Sequence, residues 1–572
     1  MKWVLAETPD PELIKKFTLE LSIPEAVAKV LGARKFSSTK ELKTFFYPSL
    51  TDLSDPLLLP DMDKAVERVL RALRTKERIV IYGDYDVDGI TATALLYSVL
   101  SRFGADVTWY LPDRISEGYG LSQQGIDDAV SKGASLLISV DCGITGVDAV
   151  EYAKSRGIDC IITDHHEPAE RIPDAVAVVD PKLIEDESVP FRDLSGVGVA
   201  YKLADALYDV LNEDKAELHQ HLDLVGLGTI ADIVPLTREN RILARFGLRT
   251  IEMTQKPGIK ALLQTAGIWG NELSSWHIVF ILAPRLNAVG RISDPELAFK
   301  LLVSHSMDEA RKIAAILEDE NKRRKDLDER IFAEAIELAE RTMNPDDKAI
   351  VLVSDRWHLG VIGIVASRLV ERYYRPVVLI STIDGVGKGS GRSIPSFHLL
   401  DALRSTGYLL TKFGGHKHAA GLCIEPDKIE KFKQEFLAYA NEHLTQADLV
   451  PQLQIDAKIS ADEIDLNLVK WLELFAPYGP DNMRPIFLLE DVTIAGEPKI
   501  VGNNHLRFKI KNKKRLIDVI GFGFGSHKQR LLMSSRPINL AVVVEKNTYY
   551  GTPDVQLRLK DIKLGNWRLD MD

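Results

Sequence analysis

The sequence predicts an α/β protein with a parallel-sheet domain, a long connecting helix, a second α/β domain and a C-terminal β-barrel. From Glu77 to about Pro181, short apolar runs alternate with segments of helical periodicity, as parallel strands with crossover helices require. Residues 307–342 contain no Gly or Pro and are rich in helix formers. After about Val450, short strand-like runs separated by turn signals favour a small barrel.

The same patterns divide the chain of 572 residues into five segments. A helical subdomain precedes the first strand, and the connecting helix separates the two α/β domains. The expected bounds are 1–60 for the N-terminal helical subdomain, 61–300 for the parallel-sheet domain, 301–345 for the connecting helix, 346–447 for the second α/β domain and 448–572 for the barrel.

The composition is that of a soluble protein, with 45% hydrophobic and 27% charged residues. The first apolar piece is too short for a secretory signal, and no later run approaches the length of a membrane span. Three cysteines without a CxxC pair argue against structural zinc and fit a reducing compartment. We therefore expect a cytoplasmic protein without a membrane anchor. The net charge of −11 means that any binding of nucleic acid must use local basic surface.

Three carboxylates, Asp84, Asp86 and Asp88, stand between a β-branched run at 79–81 and a helical pattern that starts at Gly89. An EF-hand is excluded, because Leu95 occupies the position that requires a bidentate glutamate. A solvated polar turn remains one interpretation. The other is a divalent-cation site at the carboxyl end of a buried strand, where open α/β sheets place their functional residues.

Acids also follow the later strand candidates. Asp141 ends one apolar run, Asp164 with His165 and His166 ends the next, and Asp180 ends a third. The carboxyl ends of parallel strands share one crevice, so we expect these side chains to meet there. Asp232 interrupts the apolar segment 221–236, and a buried acid of this kind is usually paired or bound to metal.

Two further segments of the first α/β domain suggest contacts with anions. Ser195 and Gly196 open a helix rich in small residues, which fits close backbone approach to a phosphate or, equally, a plain helix entry. Arg285, Asn287 and Arg291 are predicted to lie in a loop at 283–292 that contacts an anion or forms a salt-bridged connector. The charged centre of the helix at 307–342 is predicted to span solvent between two bodies roughly 50 Å apart.

The second α/β domain combines glycines with cations and hydroxyls. Ser390, Arg392 and His416, near Lys388 and Lys417, have the composition of a phosphate site, although tight strand turns would give a similar pattern. In the barrel, a basic hairpin near Phe508, Phe522, Tyr549 and Tyr550 suggests a platform for a single strand, or else a solvated edge. The cations of the hairpin are Arg507, Lys509, Lys511, Lys513, Lys514 and Arg515.

Five motifs, GDYDVDG, SVDCG, TDHH, ADIVP and FGGHKHAAG, resemble in order and spacing the DHH phosphoesterase superfamily with its DHHA1 companion domain. The resemblance implies a DHH domain, a DHHA1 domain and, with the barrel, an OB-like fold. It further implies a two-metal centre of Mn²⁺ or Mg²⁺, and a 5′-phosphate site at Ser390, Arg392 and Arg114. The implied metal ligands are Asp84, Asp86, Asp88, Asp141, His165 and Asp232. His166, with Asp164, is expected to orient or protonate the reacting phosphate, or to support the metal ligands.

With its N-terminal piece, long helix and barrel, the chain is similar to single-strand-specific 5′→3′ exonucleases of this superfamily. This likeness implies hydrolysis of single-stranded DNA to 5′-mononucleotides in recombination and repair. It also suggests a monomer that works with a single-strand-binding protein and a helicase. The alternatives are a phosphodiesterase of short oligonucleotides or cyclic dinucleotides, and a non-catalytic DNA-binding scaffold.

Overall fold

The computed structural model describes residues 1–114, 117–292, 294–383, 385–513, 515–534, 537–547 and 551–565. Two compact units are present: residues 1–52 with 451–572 form unit 1, and residues 53–450 form unit 2. Three residues named above, Lys514, Tyr549 and Tyr550, lie outside the described residues. Every helix among the described residues is too short or too polar to cross a membrane.

The N-terminal part of unit 1 consists of a strand and three helices. Asp10 and Ser38 cap two of the helices by accepting hydrogen bonds from backbone amides of the first turn. Phe17 and Leu31 are fully buried. The elements are β1 (Lys2–Leu5), α1 (Pro11–Leu21), α2 (Glu25–Ala33) and α3 (Thr39–Phe46).

Unit 2 begins with the alternating strands and helices that the sequence predicts. The strands form a parallel sheet in the order β3-β2-β4-β5-β6, so their carboxyl ends lie along one edge. The elements are α4 (Met62–Thr75), β2 (Arg78–Tyr82), α5 (Val87–Arg102), β3 (Asp106–Tyr110), α6 (Gln123–Ser131), β4 (Leu136–Val140), α7 (Val147–Ser155), β5 (Asp159–Thr163) and β6 (Ala177–Val179).

A helical region follows the sheet. It includes the segment at 283–292, so the prediction of a loop there is wrong. Leu286, Ala288 and Val289 are buried, and their packing maintains a helix despite Pro284 and Gly290. The elements are α8 (Gly196–Leu211), α9 (Lys215–His219), α10 (Leu222–Ala231), α11 (Arg238–Met253), α12 (Pro257–Thr265), α13 (Ser275–His277), a π-helical segment (Ile278–Leu282), α14 (Ala283–Ile292), α15 (Glu296–Val303) and α16 (Met307–Thr342).

The second half of unit 2 forms a mixed sheet in the order β10-β11-β9-β8-β7, flanked by helices. Ser390 on β9 lies opposite Gly421 on β11, which brings the predicted glycine-rich segments together. The elements are β7 (Ile350–Ser354), α17 (Leu359–Tyr373), β8 (Val377–Ser381), β9 (Gly387–Arg392), α18 (Leu399–Ser405), β10 (Leu410–Gly415), β11 (Ala419–Ile424) and α19 (Ile429–His443).

The long helix α16 has the predicted extent of 36 residues. Its centre does not span solvent, because Asn321, Arg324 and Asp328 are buried. The helix packs against α12, α14, α15 and α17. The expectation of a solvent-spanning centre is therefore wrong. Although the centre of α16 is rich in charged residues, one of its faces is buried against other helices of unit 2.

The C-terminal part of unit 1 forms a mixed sheet in the order β13-β14-β18-β19-β17-β16-β15. Its apolar face shares one hydrophobic core with the N-terminal helices, from Phe17 to Phe508 and Leu557. Strand β12 pairs in parallel with β1. The elements are β12 (Gln452–Ile455), β13 (Ala457–Lys458), α20 (Leu466–Glu473), β14 (Phe487–Leu489), β15 (Ile494–Val501), β16 (His505–Lys511), β17 (Leu516–Gly521), α21 (Lys528–Leu532), β18 (Ile538–Asn547) and β19 (Asp554–Leu564).

Candidate metal centre

The turn after β2 places three carboxylates at the carboxyl edge of the parallel sheet. Asp84 is 3% exposed. Asp86 caps α5 by accepting hydrogen bonds from the amides of Asp88 and Gly89. The Asp88 carboxylate accepts hydrogen bonds from the backbone amides of Gly196 (2.6 Å) and Val197 (2.9 Å). The acids therefore have fixed orientations, and this turn is not a solvated polar loop.

Ser195 and Gly196 support the acids and do not present a phosphate site. Both residues are buried, and Ser195 Oγ lies 2.8 Å from the hydroxyl of Thr229. The first amides of α8 bind the Asp88 carboxylate, so they are not directed toward a ligand. The predicted contact of Ser195 and Gly196 with phosphate is corrected accordingly.

Asp141, directly after β4, and His165, after β5, converge. Asp141 has a φ of 62°, an uncommon backbone conformation for a residue other than glycine. The Nε2 atom of His165 lies 3.0 Å from Oδ1 of Asp141, without the alignment that a hydrogen bond requires. Asp232, at the C-terminus of α10, places its Oδ2 atom 3.6 Å from the same nitrogen.

These donor atoms fit divalent cations. Among the described residues, Asp84 Oδ1, Asp141 Oδ1 and His165 Nε2 are buried and have no hydrogen-bond partner. Carboxylate and imidazole are ligands that Mn²⁺ and Mg²⁺ accept. The residues form three groups, and within each group the potential ligand atoms lie within 4.8 Å of one another: Asp84 with Asp86 and Asp141, Asp88 with His165 and Asp232, and Asp141 with His165 and His166.

The protonation behaviour of the site follows from the crowding of acids in a buried space. Burial, reinforced by the neighbouring carboxylates, raises the pKa of Asp84, Asp88 and Asp141 well above the usual range. Burial and then the Asp86 charge raise the pKa of Asp232 to about 7. Burial and the charge of His166 lower the pKa of His165 to about 3, which keeps its imidazole neutral. A neutral imidazole is the form that binds metal.

His166 has a different environment from His165. Its Nδ1 atom lies 2.7 Å from Asp164 Oδ1 and 2.9 Å from the hydroxyl of Tyr119. Burial opposes the charged imidazole, but the hydrogen bond and charge of Asp164 outweigh it and raise the pKa of His166 to about 9. Asp164 is fully buried and also accepts hydrogen bonds from the amides of Ile144 and His165. Asp164 is thus in place to orient His166 and not to touch a substrate.

Arg114, whose charge acts on Asp84, belongs to a group of arginines with Arg291, Arg324 and Arg392. The Arg114 guanidinium lies 5.1 Å from the ring centre of Tyr85, and Arg291 donates a hydrogen bond to the carbonyl of Gly360 (3.2 Å). Burial, followed by the charges of Arg114, Arg324 and Arg392, lowers the pKa of Arg291 to about 9. Guanidinium groups that repel one another in a buried space favour binding of an anion.

Some of the remaining predicted residues of unit 2 lie near the arginines or His166, and others do not. Arg392 donates to Ser390 Oγ (3.1 Å), and burial lowers its pKa to about 10. The ring of His416 stacks toward His166 at a centroid distance of 6.3 Å. Arg285 instead forms an ion pair with Glu318 (2.6 Å) and is a structural connector, while Asn287 remains partly exposed on α14.

Comparison with known proteins agrees with this geometry. Residues 78–229 match the DHH family, N-terminal domain, residues 346–442 match the DHHA1 domain, and residues 455–561 match the RecJ OB domain. The single-stranded-DNA-specific exonuclease RecJ of Bacillus subtilis is 36% identical over all of this chain and 72% of the relative. RecJ of Salmonella typhimurium is 35% identical over 95% of this chain and 96% of the relative. The chain belongs to the RecJ family.

Solved structures of the RecJ family have the same fold. RecJ of Thermus thermophilus in complex with Mn²⁺ matches 99% of this chain and 80% of its own, with a TM-score of 0.85 and 29% identity. A second structure, exonuclease RecJ bound to manganese, matches 70% of this chain and all of its own, with a TM-score of 0.61 and 35% identity. The Thermus thermophilus protein was also solved with Mg²⁺.

The cations predicted to bind DNA in the RecJ OB domain of this chain fall into two sets, exposed lysines on β16 and cations paired with acids. Side chains of β16 alternate between two faces. Lys509 and Lys511 are exposed on one face, and Leu506, Phe508 and Ile510 are buried on the other. Phe508 is 3% exposed, so the expectation that it contributes to a base-stacking surface is wrong. The other cations of the hairpin that the structure describes are paired with acids: Arg507 with Asp518, Lys513 with Asp462 and Arg515 with Asp554.

Sequence reasoning missed Tyr119 and Arg324. Tyr119 lies in a short segment with Gly118 and Gly120, where residue spacing carries no signal of its contact with His166. A signal for Arg324 was present. Asn321, Arg324 and Asp328 continue the helical stripe of Ile313, Leu317 and Ile331, so these polar residues occupy positions that face the core.

Proposed function

We propose that the chain is a metal-dependent exonuclease that degrades single-stranded DNA from the 5′ end to 5′-mononucleotides. One observation carries the proposal. The buried ligand atoms of Asp84, Asp141 and His165, which have no hydrogen-bond partner in the described part of the chain, converge, and Arg114 links Asp84 to a group of arginines, so that sites for cations and for a phosphate lie next to each other. Phosphodiester hydrolysis requires both.

The acids and His165 would hold two divalent ions. When bound, such ions supply a hydroxide nucleophile at neutral pH and counter-charge for the transition state. Asp88 is oriented by the N-terminal amides of α8, and Asp86 by its capping contacts with α5. These interactions support a rigid set of ligands, as a catalytic centre requires.

His166 is proposed as the residue that acts on the reacting phosphate. Against the effect of burial, the hydrogen bond and charge of Asp164 raise the pKa of His166 and favour its charged imidazole, which can donate a hydrogen bond to a phosphate oxygen or a proton to the leaving oxygen. Asp164 and Tyr119 orient the ring through Nδ1. We therefore assign Asp164 a positioning role.

The arginines would set the polarity of the reaction. Arg114, Arg291 and Arg392, with Ser390, are proposed to bind the terminal 5′ phosphate through charge-assisted hydrogen bonds. Arg324 completes the cation group. A terminal phosphate carries more negative charge than an internal phosphodiester, so the buried cations favour an end over the middle of a strand.

The OB domain would extend the contact with a longer strand. Exposed Lys509 and Lys511 are suited to bind phosphates, since they lie on one face of β16. This surface favours longer DNA over the short oligonucleotides or cyclic dinucleotides of the alternative phosphodiesterase. The presence of every proposed metal ligand disfavours a non-catalytic scaffold.

The cellular setting is also a proposal. RecJ family membership suggests a cytoplasmic monomer that acts in recombination and repair. A single-strand-binding protein would deliver the strand, and a helicase would expose it. These partners follow from the proposed substrate, because a single-strand-specific enzyme needs an unwound end.

The direct test uses single strands labelled at either end, incubated with the protein and Mn²⁺. Release of labelled mononucleotide from the 5′ label at the earliest times, with progressive shortening from that end, is expected. Double-stranded DNA and linear dinucleotides are compared at equal concentration, with Asp141→Ala as the inactive control. Preference for dinucleotides, or initial release from the 3′ end, would contradict the proposal.

A further inference from the structure

Two large aromatic side chains are exposed on unit 2 and contact each other. Trp276 is 57% exposed and Phe280 is 62% exposed. Their ring centres are 5.8 Å apart, with an interplanar angle of 33°. Isolated exposed apolar residues are ordinary, but a paired aromatic surface is typical of binding sites.

The pair lies at one end of a continuous helical segment, residues 275–292, formed by α13, the π-helical segment and α14. Trp276, Phe280, Pro284, Asn287 and Arg291 recur at spacings of three or four residues, so they follow one face. All five are exposed or partly exposed, whereas Leu282, Leu286 and Val289 on the opposite face are buried. The aromatic pair and Arg291 thus lie along one face of the segment, which is open to solvent at the pair and mostly covered at Arg291.

The C-terminal end of this segment reaches the arginines beside the candidate metal centre, and its middle contacts the helix that carries Asp232. Arg291 belongs to the arginine group proposed to bind the 5′ phosphate. The π-helical segment packs against α10, the helix that ends at Asp232. A π-helical turn widens a helix and occurs frequently at functional sites. At about 1.5 Å per residue, Phe280 lies roughly 16 Å from Arg291 along the helix axis.

We propose that Trp276 and Phe280 form a base-stacking surface for the single strand whose 5′ end Arg291 and its neighbours bind. The inference rests on the proposed function and adds a contact that determines how the rest of the strand is positioned. Asn287, between the aromatic pair and Arg291, would contact the backbone or a base edge.

The chemistry of this face favours a nucleic acid over a protein as its occupant. A single strand carries phosphates and flat apolar bases together, and the face has cationic and aromatic ends to match. Every base has a π-face, so stacking on Trp276 and Phe280 would not require a particular sequence. Such a contact would also exclude duplex DNA, whose bases are already stacked and paired.

The test is a strand that lacks single bases. Binding of 5′-phosphorylated 12-mers is measured in an Asp141→Ala background, so that the strand is not degraded, with one abasic site placed at each position in turn. Some abasic positions are expected to weaken binding by the protein with intact aromatics. In the Trp276→Ala, Phe280→Ala double variant, binding of the intact strand should fall about 5- to 100-fold, and the same abasic positions should have no further effect.

Two comparisons keep the test specific. Trp269, 36% exposed and lying beneath Lys260, is an exposed tryptophan outside the helical segment 275–292, and Trp269→Ala should retain the full abasic profile. Trp276→Phe with Phe280→Tyr should restore most of the affinity. In proteins with an intact metal site, the double alanine variant should raise KM for long strands more than it lowers kcat, and leave dinucleotides unaffected.

The possible failures can be distinguished. Wild-type protein that cleaves single strands, with the same abasic profile in the double variant, would overturn this inference and leave the proposed function intact. Dimeric wild-type protein that becomes monomeric in the double variant, with unchanged DNA binding, would instead identify a self-association surface. Absence of any single-strand cleavage by wild type would overturn both proposals.

Discussion

A Cβ atom at Gly196 would lie 2.5 Å from Cβ of Asp141, closer than two such atoms approach. Glycine at this position lets the first turn of α8 reach the strand ends, where its amides bind Asp88. One residue thus links the conformations of two proposed metal ligands, Asp88 and Asp141.

We expect Gly196→Ala to displace Asp141 and weaken Mn²⁺ binding at least tenfold, with loss of activity at limiting metal. The cost in folding should be about 1–3 kcal/mol, as for other overpacked positions. Gly198→Ala is the matched control, because its nearest neighbour is the flexible side chain of Leu194 at 3.1 Å. Isothermal titration with Mn²⁺ measures the difference. Equal affinities in the two variants would contradict the role of Gly196.

Removing a metal ligand should separate stability from activity. Asp141→Ala or His165→Ala should abolish hydrolysis and leave the circular dichroism spectrum unchanged, because neither residue lies in the apolar core. Without metal, Asp141→Ala should be as stable as wild type or more so, since it removes a buried carboxylate whose Oδ1 atom has no hydrogen-bond partner among the described residues.

The same variants should lose the stabilisation by metal. Mn²⁺ at about 100 times its Kd should stabilise the wild-type fold by about 2.7 kcal/mol. Thermal unfolding with and without Mn²⁺ measures this effect. Near-native turnover at saturating Mn²⁺, or an undiminished metal-induced shift in Tm, would show that the residue is not a ligand.

Arg392 should contribute more to the binding of 5′-phosphorylated strands than to the binding of 5′-hydroxyl strands. Arg392→Ala is expected to weaken binding of 5′-phosphorylated strands about tenfold or more, and to affect 5′-hydroxyl strands less. Arg392→Lys keeps the charge but not the planar fork, and should be intermediate. Arg404→Ala, which removes an exposed arginine paired with Asp401, serves as control. Equal losses on both kinds of end would assign Arg392 a structural role.

His221 should make the stability of unit 2 depend on pH. Burial and then the charge of Lys256, whose Nζ lies 3.2 Å from the ring, lower the pKa of His221 to about 3. The pKa in the unfolded chain is about 6.5. The unfolded chain therefore binds the proton first. The contribution is fully present above about pH 6.5 and is lost as the pH falls toward 3, at up to about 1.4 kcal/mol per pH unit.

Thermal unfolding between about pH 7 and about pH 5 should test this linkage. We expect His221→Gln to show a smaller fall in Tm across this range than wild type. For His305→Gln, at an exposed position of the same unit, the Tm should fall as much over this pH range as it does for wild type. Identical pH profiles for wild type and His221→Gln would contradict the prediction.

The exposed lysines on β16 should increase the affinity for long single strands and make that affinity more dependent on salt concentration. Replacing Lys509 and Lys511 by Gln should reduce the slope of log affinity against log salt by about 1.4, at about 0.7 per phosphate contact with single strands. Lys513→Gln should change it less, since Lys513 is paired with Asp462. An unchanged slope in the double variant would remove Lys509 and Lys511 from the DNA-binding surface.

Point substitutions are the appropriate test here. Truncation before Val450 would remove the sheet that shares a hydrophobic core with the N-terminal helices, including Phe17. A truncated protein would therefore report misfolding of residues 1–52 as well as loss of DNA contacts.

The sequence alone determined the parallel sheet, the extent of α16 and the acids at the strand ends. These features depend on local periodicity and on the order of elements, which are readable because side chains repeat every two residues in strands and every 3.6 in helices. The positions of Asp84, Asp141 and Asp164 follow, because parallel strands end at one edge.

Only the tertiary structure decided which polar groups form hydrogen bonds or ion pairs with each other and which side chains are buried. The amides after Ser195 bind Asp88 and leave no phosphate site, Arg285 pairs with Glu318, and Phe508 lies in a core that both ends of the chain build. Arg324 lies in a buried face of α16 that the sequence presents as charged. These outcomes depend on contacts between residues far apart in the chain, and the energy of a charge or aromatic ring is set by what surrounds it after folding.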